Sequence, residues 1–260
     1  MPAFKTNSII LNTTLCFDFG NTRLKCGVFI DGQLATVFSL RDTGDDTLKD
    51  VLEKYQPAKT ILSSVIDHNA GIEKLLAERS LFHKLSAQSI LPFRMPVNKP
   101  ETMGADRMAL AAAAVHFYKG KNNLVIGLGS CVTYNFINKY NSFVGGSISP
   151  GMEMRFRSLR DYTAKLPLIK PDPADAGWNF PLAGYDTRTN ILSGILIGLR
   201  AEMDGIIDNY KEKFGNFNVL LTGGDAPYFA RHLKNKIFAD PDLIFKGLYA
   251  ISETNHDTKT

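Results

Sequence analysis

Apolar and polar residues form their clearest pattern near the start of the chain, where residues 15–30 read LCFDFGNTRLKCGVFI. Short apolar runs bounded by glycine, asparagine and aspartate predict three consecutive strands joined by two tight turns. The three predicted strands are residues 15–19, residues 23–30 and residues 33–39. The first strand is apolar except for Asp18, and a carboxylate in a buried strand is unfavourable unless it is paired, hydrogen-bonded or bound to a metal.

The turn after the first strand gathers groups that bind phosphate. Glycine permits close approach of the backbone, and small polar side chains and a lysine surround it. The residues concerned are Asp18, Gly20, Asn21, Thr22 and Lys25. Because exposed N–H groups suit phosphate oxygens and a carboxylate suits hydrated Mg²⁺, the turn predicts a site for a nucleotide phosphate and its metal. An ordinary hairpin with a solvated aspartate and lysine explains this motif equally well when it stands alone.

Residues 123–147 repeat the pattern of strand, glycine turn, strand, hairpin and strand, with Gly129 at the place of Gly20 and Ser130 at the place of Asn21. Two copies in one chain indicate a duplicated α/β architecture with the ligand between them. Two facing phosphate turns resemble the actin-like ATPase fold of sugar kinases, Hsp70 and actin. A coincidental repeat of a common β-meander is the weaker alternative.

The two related halves are predicted at residues 1–105 and 106–260. They differ in charge, since Gly127 stands where the first copy has Asp18. The other segments with helical spacing of apolar residues or strand character are predicted to be regular elements. The predicted helices are residues 45–55, 70–80, 101–118, 152–164, 189–214 and 228–236, and the predicted strands are residues 59–66 and 218–221. Residues 81–99 are predicted to be an irregular crossover between the halves.

Three further segments carry candidate chemistry. At the predicted helix entrance of residues 104–107, GADR, Arg107 suits an acidic group and Asp106 suits a hydroxyl proton, although an acidic residue there also complements the helix dipole. Residues 145–151, GGSISPG, predict a glycine-rich turn that is either a phosphate or substrate loop or a plain connection. Residues 222–226, TGGDA, follow a predicted strand and fit an adenine or ribose lying against the backbone.

Composition excludes several classes of protein. The chain has 260 residues, 44% of them hydrophobic and 22% charged, and a net charge of +4. No run of Lys and Arg argues for nucleic-acid binding, and no apolar run is long enough to span a membrane. The three cysteines lie in predicted strands and the histidines do not cluster, so reduced thiols in a cytosol are expected rather than disulfides or a zinc site.

The motifs, taken together and in order, resemble those of the type III pantothenate kinases. The matching segments are DFGNTRLK at 18–25, GADR at 104–107, GGSISPG at 145–151, GYDT at 184–187 and TGGDA at 222–226. The resemblance covers nearly the whole chain. It implies ATP-dependent phosphorylation of pantothenate to 4'-phosphopantothenate, the first step towards coenzyme A, by a cytoplasmic homodimer that contacts neither nucleic acid nor membrane.

The resemblance also implies roles for individual residues. Asp106 would act as base on the primary hydroxyl of pantothenate. The residues implied to hold pantothenate are Gly104, Arg107, Thr187 from the neighbouring subunit, and Val97. Those implied to bind ATP and its phosphates are Asp18, Gly20, Asn21, Thr22, Lys25, Gly129, Ser130, Gly223 and Gly224, with Asp18 also holding Mg²⁺ through water.

Four positions depart from the family pattern. Relatives commonly have threonine at Ser130, aspartate at Asn135 and an aromatic residue at Val97. They also have an aspartate at the position of Gly127, where it helps to bind an activating monovalent cation such as K⁺ or NH₄⁺. Because Gly127 lacks that charge, the cation is dispensable, or another group or water replaces it, or nucleotide affinity is poor.

Two other functions compete with the pantothenate kinase. A non-catalytic nucleotide- or pantothenate-binding regulator on the same fold is the alternative that Gly127 favours, whereas Asp18 and Asp106 argue against it. Kinase activity on another hydroxyl acid or sugar is the third, and the GADR segment argues against it.

Overall fold

The computed structural model describes residues 12–95, 100–172, 175 and 177–256. Its first half is a β-sheet with two helices. The strands are β1 (Thr13–Phe19), β2 (Leu24–Ile30), β3 (Gln33–Ser39), β4 (Lys59–Ser64) and β5 (Leu81–Lys84), and the helices are α1 (Asp45–Tyr55) and α2 (Ala70–Arg79). A single 3-10 turn at Pro100–Thr102 precedes the central helix.

The second half has a further five strands. The strands are β6 (Asn123–Leu128), β7 (Cys131–Ile137), β8 (Phe143–Pro150), β9 (Asn218–Thr222) and β10 (Phe238–Ala239). The helices are α3 (Ala105–Phe117), α4 (Met152–Asp161), α5 (Thr187–Leu192), α6 (Gly198–Phe214), α7 (Ala226–Phe229) and α8 (Leu243–His256). A π-helical turn at Ser193–Ile197 joins α5 to α6.

The two sheets have the same topology. Their strand orders are β3-β2-β1-β4-β5 and β8-β7-β6-β9-β10. In each sheet the first three strands are antiparallel, and the last two run parallel to the first. The predicted duplication is therefore confirmed, and the fold is that of two related α/β halves.

Helices α3 and α8 pack on each other between the sheets. Close packing comes from the alanine run of α3 and from Gly247, where a Cβ would lie 1.9 Å from the carbonyl oxygen of Ala109. Phe245 of α8 covers Gly27 of β2, so the last helix lies against the first sheet. The core between the sheets thus includes residues of both halves, and it holds the helix that carries Asp106 against both of them.

The remaining long helices cover the outer faces. Helices α1 and α2 pack on the odd-numbered residues of β1, and the segment from α4 to α6 packs on the even-numbered residues of β6. Asp18 and Gly127 therefore share the inner face, towards α3. Cys16 and Cys26 are buried free thiols, and Cys131 is half-buried. Among the described residues no helix is both long and apolar enough to cross a membrane.

The prediction of an irregular crossover missed a strand, because residues 81–84 form β5. This strand has only four residues and half-exposed side chains, and it exists through parallel pairing with β4, which local pattern does not reveal. The two-residue strand β10 was missed for the same reason.

The predicted helix at residues 228–236 is wrong, since α7 ends at Phe229. Beyond it the chain is held by tertiary hydrogen bonds. The backbone N–H of Lys234 and the side-chain amide of Asn235 donate to the Asp204 carboxylate of α6, at 3.1 and 3.0 Å. These bonds stabilise a non-helical path.

The predicted glycine-rich turn is also wrong, because residues 145–150 belong to β8. Gly146 pairs with Asn135 of β7, and a Cβ there would lie 1.7 Å from the Tyr134 carbonyl oxygen. The glycine therefore serves close strand packing. Elsewhere the predicted elements agree with the structure to within three residues at their ends, except that α3 begins at Ala105 after the 3-10 turn and that the long helix includes the π-turn. Helix α8 was not predicted.

Candidate active site

The first turn presents small polar side chains at the carboxyl end of β1. The backbone N–H of Gly20 donates to the carbonyl oxygen of Arg23 at 3.1 Å, which closes the turn. Asn21, Thr22 and Arg23 are exposed. Asp18 lies opposite Lys25 on β2 and opposite Ser63 on β4, so its carboxylate has a cation and a hydroxyl as neighbours.

The second turn faces the first. The N–H of Gly129 donates to the carbonyl oxygen of Cys131 at 3.1 Å, as in the first turn. The hydroxyls of Thr22 and Ser130 share a hydrogen bond of 2.6 Å across the cleft between the halves. The two turns that the sequence repeat predicted are thus brought into direct contact.

A third loop lies at the end of β9, beside the second turn. Gly223 has a φ of +102°, and a Cβ there would lie 2.2 Å from the Leu128 carbonyl oxygen, so only glycine fits. The N–H of Asp225 donates to the same carbonyl at 3.2 Å. Across the cleft, Nη1 of Arg23 stands 3.6 Å from where a Cβ of Gly224 would be. Three loops, one from the first half and two from the second, therefore surround one cleft.

Helix α3 opens at this cleft. Gly104 is its N-cap, and the N–H of Met108 donates to the Gly104 carbonyl at 3.1 Å. A Cβ at Gly104 would lie 2.5 Å from Oδ1 of Asp106, so the glycine leaves room for that carboxylate. Nε of Arg107 donates to Oδ1 of Asn135 at 2.7 Å, which fixes the guanidinium beneath β7 and β8.

The two carboxylates at the centre of the cleft are unfavourable as anions. Burial, and after it the Asp106 charge, raise the pKa of Asp18 to about 7 against the lowering effects of Lys25 and Ser63. Burial also raises the pKa of Asp106, against the lowering effect of the Arg107 backbone N–H and guanidinium. Groups held in this way gain from an added cation or proton, which suits a metal-binding and proton-accepting site.

The inner face of β6 has no charged group at the position equivalent to Asp18. A Cβ at Gly127 would lie 2.8 Å from Oγ1 of Thr133 and 3.2 Å from Cδ1 of Leu110. The buried amide of Asn135 donates to Thr133 Oγ1 at 3.3 Å and accepts from the Arg107 guanidinium, so the polar groups beside Gly127 are a hydroxyl, an amide and a cation.

The remaining predicted residues lie apart or are not described. Thr187 is exposed at the start of α5 and lines a cavity of about 530 Å³ together with Arg155 and Asn190. Within the described part of the chain this cavity is not lined by Asp106 or Arg107. Val97 lies outside the described residues.

Three residues that border the cleft are not among the predicted site residues: Arg23, Ser63 and Asp225. Arg23 and Asp225 lie within the DFGNTRLK and TGGDA segments, so the sequence could have indicated them as site residues. Ser63 reaches Asp18 only through pairing between β1 and β4, which no local pattern shows.

Two comparisons with solved structures agree with this architecture. A protein of Campylobacter jejuni assigned to the Baf family of transcriptional activators matches with a TM-score of 0.61 and 20% identity, over 94% of this chain and 99% of that one. A Listeria monocytogenes protein assigned as an N-acetylmannosamine kinase matches with a TM-score of 0.54 and 11% identity, over 95% and 100%. The fold, with two related α/β halves and two facing turns at its cleft, is the actin-like fold.

The sequence comparisons define the family within that fold. The profile of the type III pantothenate kinase family matches residues 14–209. The type III pantothenate kinase of Christiangramia forsetii is 40% identical over 245 residues, which are 93% of this chain and 98% of that protein. The chain belongs to the type III pantothenate kinase family.

Proposed function

We propose that the chain transfers a phosphoryl group from ATP to the primary hydroxyl of pantothenate, giving 4'-phosphopantothenate for coenzyme A synthesis. The observation that carries this proposal is the convergence of two phosphate turns, joined by the Thr22–Ser130 hydrogen bond, with the acidic entrance of α3. Family membership supplies the substrate.

Asp106 is the proposed base. Its raised pKa brings proton affinity closer to what a neutral-pH base needs, and it would orient the hydroxyl and accept its proton as the phosphorus–oxygen bond forms. Arg107 and Gly104 would hold the pantothenate carboxylate end. Since Asn135 accepts from Nε of Arg107, the two terminal nitrogens of the guanidinium remain for an acid.

Asn21, Thr22, Lys25, Ser130 and the N–H groups of Gly20 and Gly129 would bind the phosphates, and Gly223 and Gly224 would flank the nucleotide. Mg²⁺ fits here, because the nearby Asp106 charge adds to the negative potential at the Asp18 carboxylate and a cation would relieve it. Asp18 would hold the hydrated ion, which supplies charge neutralisation at the phosphates. The protein contributes mostly position and charge.

A monovalent cation at the second turn does not fit. The position of the usual carboxylate is Gly127, and Thr133 and Leu110 fill the space where a side chain would begin. Thr133 and Asn135 offer only neutral groups there. Turnover is therefore expected without K⁺ or NH₄⁺.

Assembly into a homodimer in the cytoplasm, with Thr187 of each subunit reaching the partner's pantothenate site, is part of the proposal. Two exposed glycines one turn apart on the long helix, Gly194 and Gly198, support it, since a Cβ at either would meet no described atom within 4 Å beyond the backbone of its own helix. This surface is open to a second copy.

The division into halves near residue 105 also remains a proposal, and neither nucleic acid nor membrane is an expected partner.

The substitution Asp106→Asn tests the proposed chemistry. Removing the base should lower kcat by roughly 10² to 10⁴ while ATP still binds. The matched control is Asp46→Asn, because Asp46 holds the same second position in helix α1 but is exposed. ATP binding by the wild-type protein without turnover on pantothenate or on a panel of hydroxyl acids and sugars would leave a binding protein instead.

A further inference from the structure

We propose that Arg23 binds the phosphate chain of the nucleotide and that Asp225 competes with the nucleotide for it. This inference rests on the proposed function only in taking the cleft to bind ATP. Neither residue was among the site residues that the sequence motifs indicated.

Arg23 lies between the first turn and the nucleotide loop. Its carbonyl oxygen accepts from the N–H of Gly20, so its backbone is part of the phosphate turn. Its side chain crosses the cleft, with Nη1 3.6 Å from the place of a Gly224 Cβ in the nucleotide loop. A phosphate chain that runs from the first turn to the nucleotide loop must pass beside this guanidinium.

Two other cations of the site, Lys25 and Arg107, already have fixed neighbours. Lys25 lies opposite Asp18, and Arg107 is fixed by Asn135. Arg23, by contrast, is exposed, and among the described residues no carboxylate oxygen lies within 4.0 Å of it. A guanidinium with planar, paired N–H donors and no fixed partner is well suited to phosphate oxygens.

Asp225 follows Gly224 directly in the nucleotide loop that the Arg23 side chain approaches, so its carboxylate belongs to the same stretch of the cleft. Burial raises the pKa of Asp225 to about 6, with the Arg23 charge acting against the shift and Glu153 adding to it. Arg23 therefore favours the ionised carboxylate. A phosphate chain carries more charge than one carboxylate, so it should take over the guanidinium and be repelled by Asp225.

Calorimetric titration with ATP, ADP and adenosine, without pantothenate, tests the inference. Arg23→Gln should weaken ATP and ADP binding at least tenfold and leave adenosine binding within twofold. Asp225→Asn should have the opposite sign and tighten ATP binding severalfold. Arg23→Lys should retain part of the affinity, and Arg41→Gln is the matched control, since Arg41 pairs on the surface with Asp42 at 3.0 Å.

Two results would overturn the inference. One is ATP affinity in Arg23→Gln within twofold of wild type, or an equal loss for ATP and adenosine, which indicates a structural role. The other is weaker ATP binding in Asp225→Asn, which indicates that the two residues only hold the halves together. If Arg23→Gln does not fold, the ATP affinities of the other two variants decide: Arg23→Lys should bind ATP more weakly than wild type, and Asp225→Asn should bind it more tightly. Because pantothenate is absent, ATP binding without turnover would refute the proposed function and leave this test valid.

Discussion

The two facing turns are closed by the same backbone hydrogen bond and differ in their electrostatics. In both, the glycine N–H closes the turn at 3.1 Å, and in both a residue of the preceding strand points inward two positions earlier. In the first turn that residue is Asp18, with a pKa raised to about 7, and Lys25 lies opposite it. In the second turn it is Gly127, surrounded by Leu110, Thr133 and the Asn135 amide.

This difference shows that duplication has preserved shape while charge has been concentrated in one copy. The second turn supplies backbone N–H groups and a hydroxyl, and the charge bonded to its neighbour Asn135 is the Arg107 guanidinium rather than a carboxylate. The first turn supplies the carboxylate and the cations at the expense of stability, since Asp18 is poorly solvated. We expect substitutions in the first turn to affect catalysis and substitutions near Gly127 to affect folding.

Among the substitutions that compare the two turns, Asp18→Asn should have the largest effect. The change keeps the shape of the side chain and removes the charge that we propose holds Mg²⁺, so kcat should fall by roughly 10²-fold or more. The coupled ADP-release assay at saturating Mg²⁺ measures it, with Asp46→Asn as the surface control. A loss below threefold would show that the first turn does not carry the metal.

Gly127→Asp should mainly destabilise the protein. The new Cβ would lie 2.8 Å from Thr133 Oγ1 and 3.2 Å from Leu110 Cδ1, and overpacking of this kind typically costs about 1–3 kcal/mol. Thermal unfolding of Gly127→Asp is compared with that of Gly205→Asp, because a Cβ at Gly205 meets nothing within 4 Å. An unchanged Tm together with K⁺-stimulated turnover would show that the second turn readily accepts the missing charge.

Asp225→Asn should stabilise the folded state in a pH-dependent way. The folded-state pKa of about 6 lies above the ordinary 3.8, so the carboxylate destabilises the native state increasingly from pH 4 and fully above pH 6. After allowance for partial exposure, we expect a gain of about 1 kcal/mol at pH 8. Thermal melts at pH 8 and at pH 4 should show the gain only at pH 8, and an equal gain at both pH values would contradict the burial of this charge.

The hydrogen bond between the turns should give the smallest effect. Thr22→Val and Ser130→Ala each remove one hydroxyl of the 2.6 Å contact. A double-mutant cycle on the free energy of unfolding should return a coupling of about 0.5–1.5 kcal/mol. Coupling near zero would mean that the turns do not touch in solution.

The sequence predicted the parts of the fold and the site that depend on local pattern. Alternation and turn residues predicted the strand and turn at Asp18 and their repeat at Gly129, and helical spacing predicted helix α1. It did not predict strand β5, the end of α7 at Phe229 or the approach of Arg23 to Gly224. Each of these depends on residues far apart in the chain, through strand pairing, the Asp204 carboxylate or closure of the cleft.

Pantothenate-dependent ADP release with ATP and Mg²⁺ is the decisive measurement, run once with K⁺ and once with only a bulky organic cation. We predict comparable turnover in both, with 4'-phosphopantothenate as product, because the first turn carries the carboxylate and Gly127 brings no charge to the second. Turnover only with K⁺ would contradict the neutral second turn. No turnover in either, with ATP at high millimolar concentration, would contradict the kinase itself.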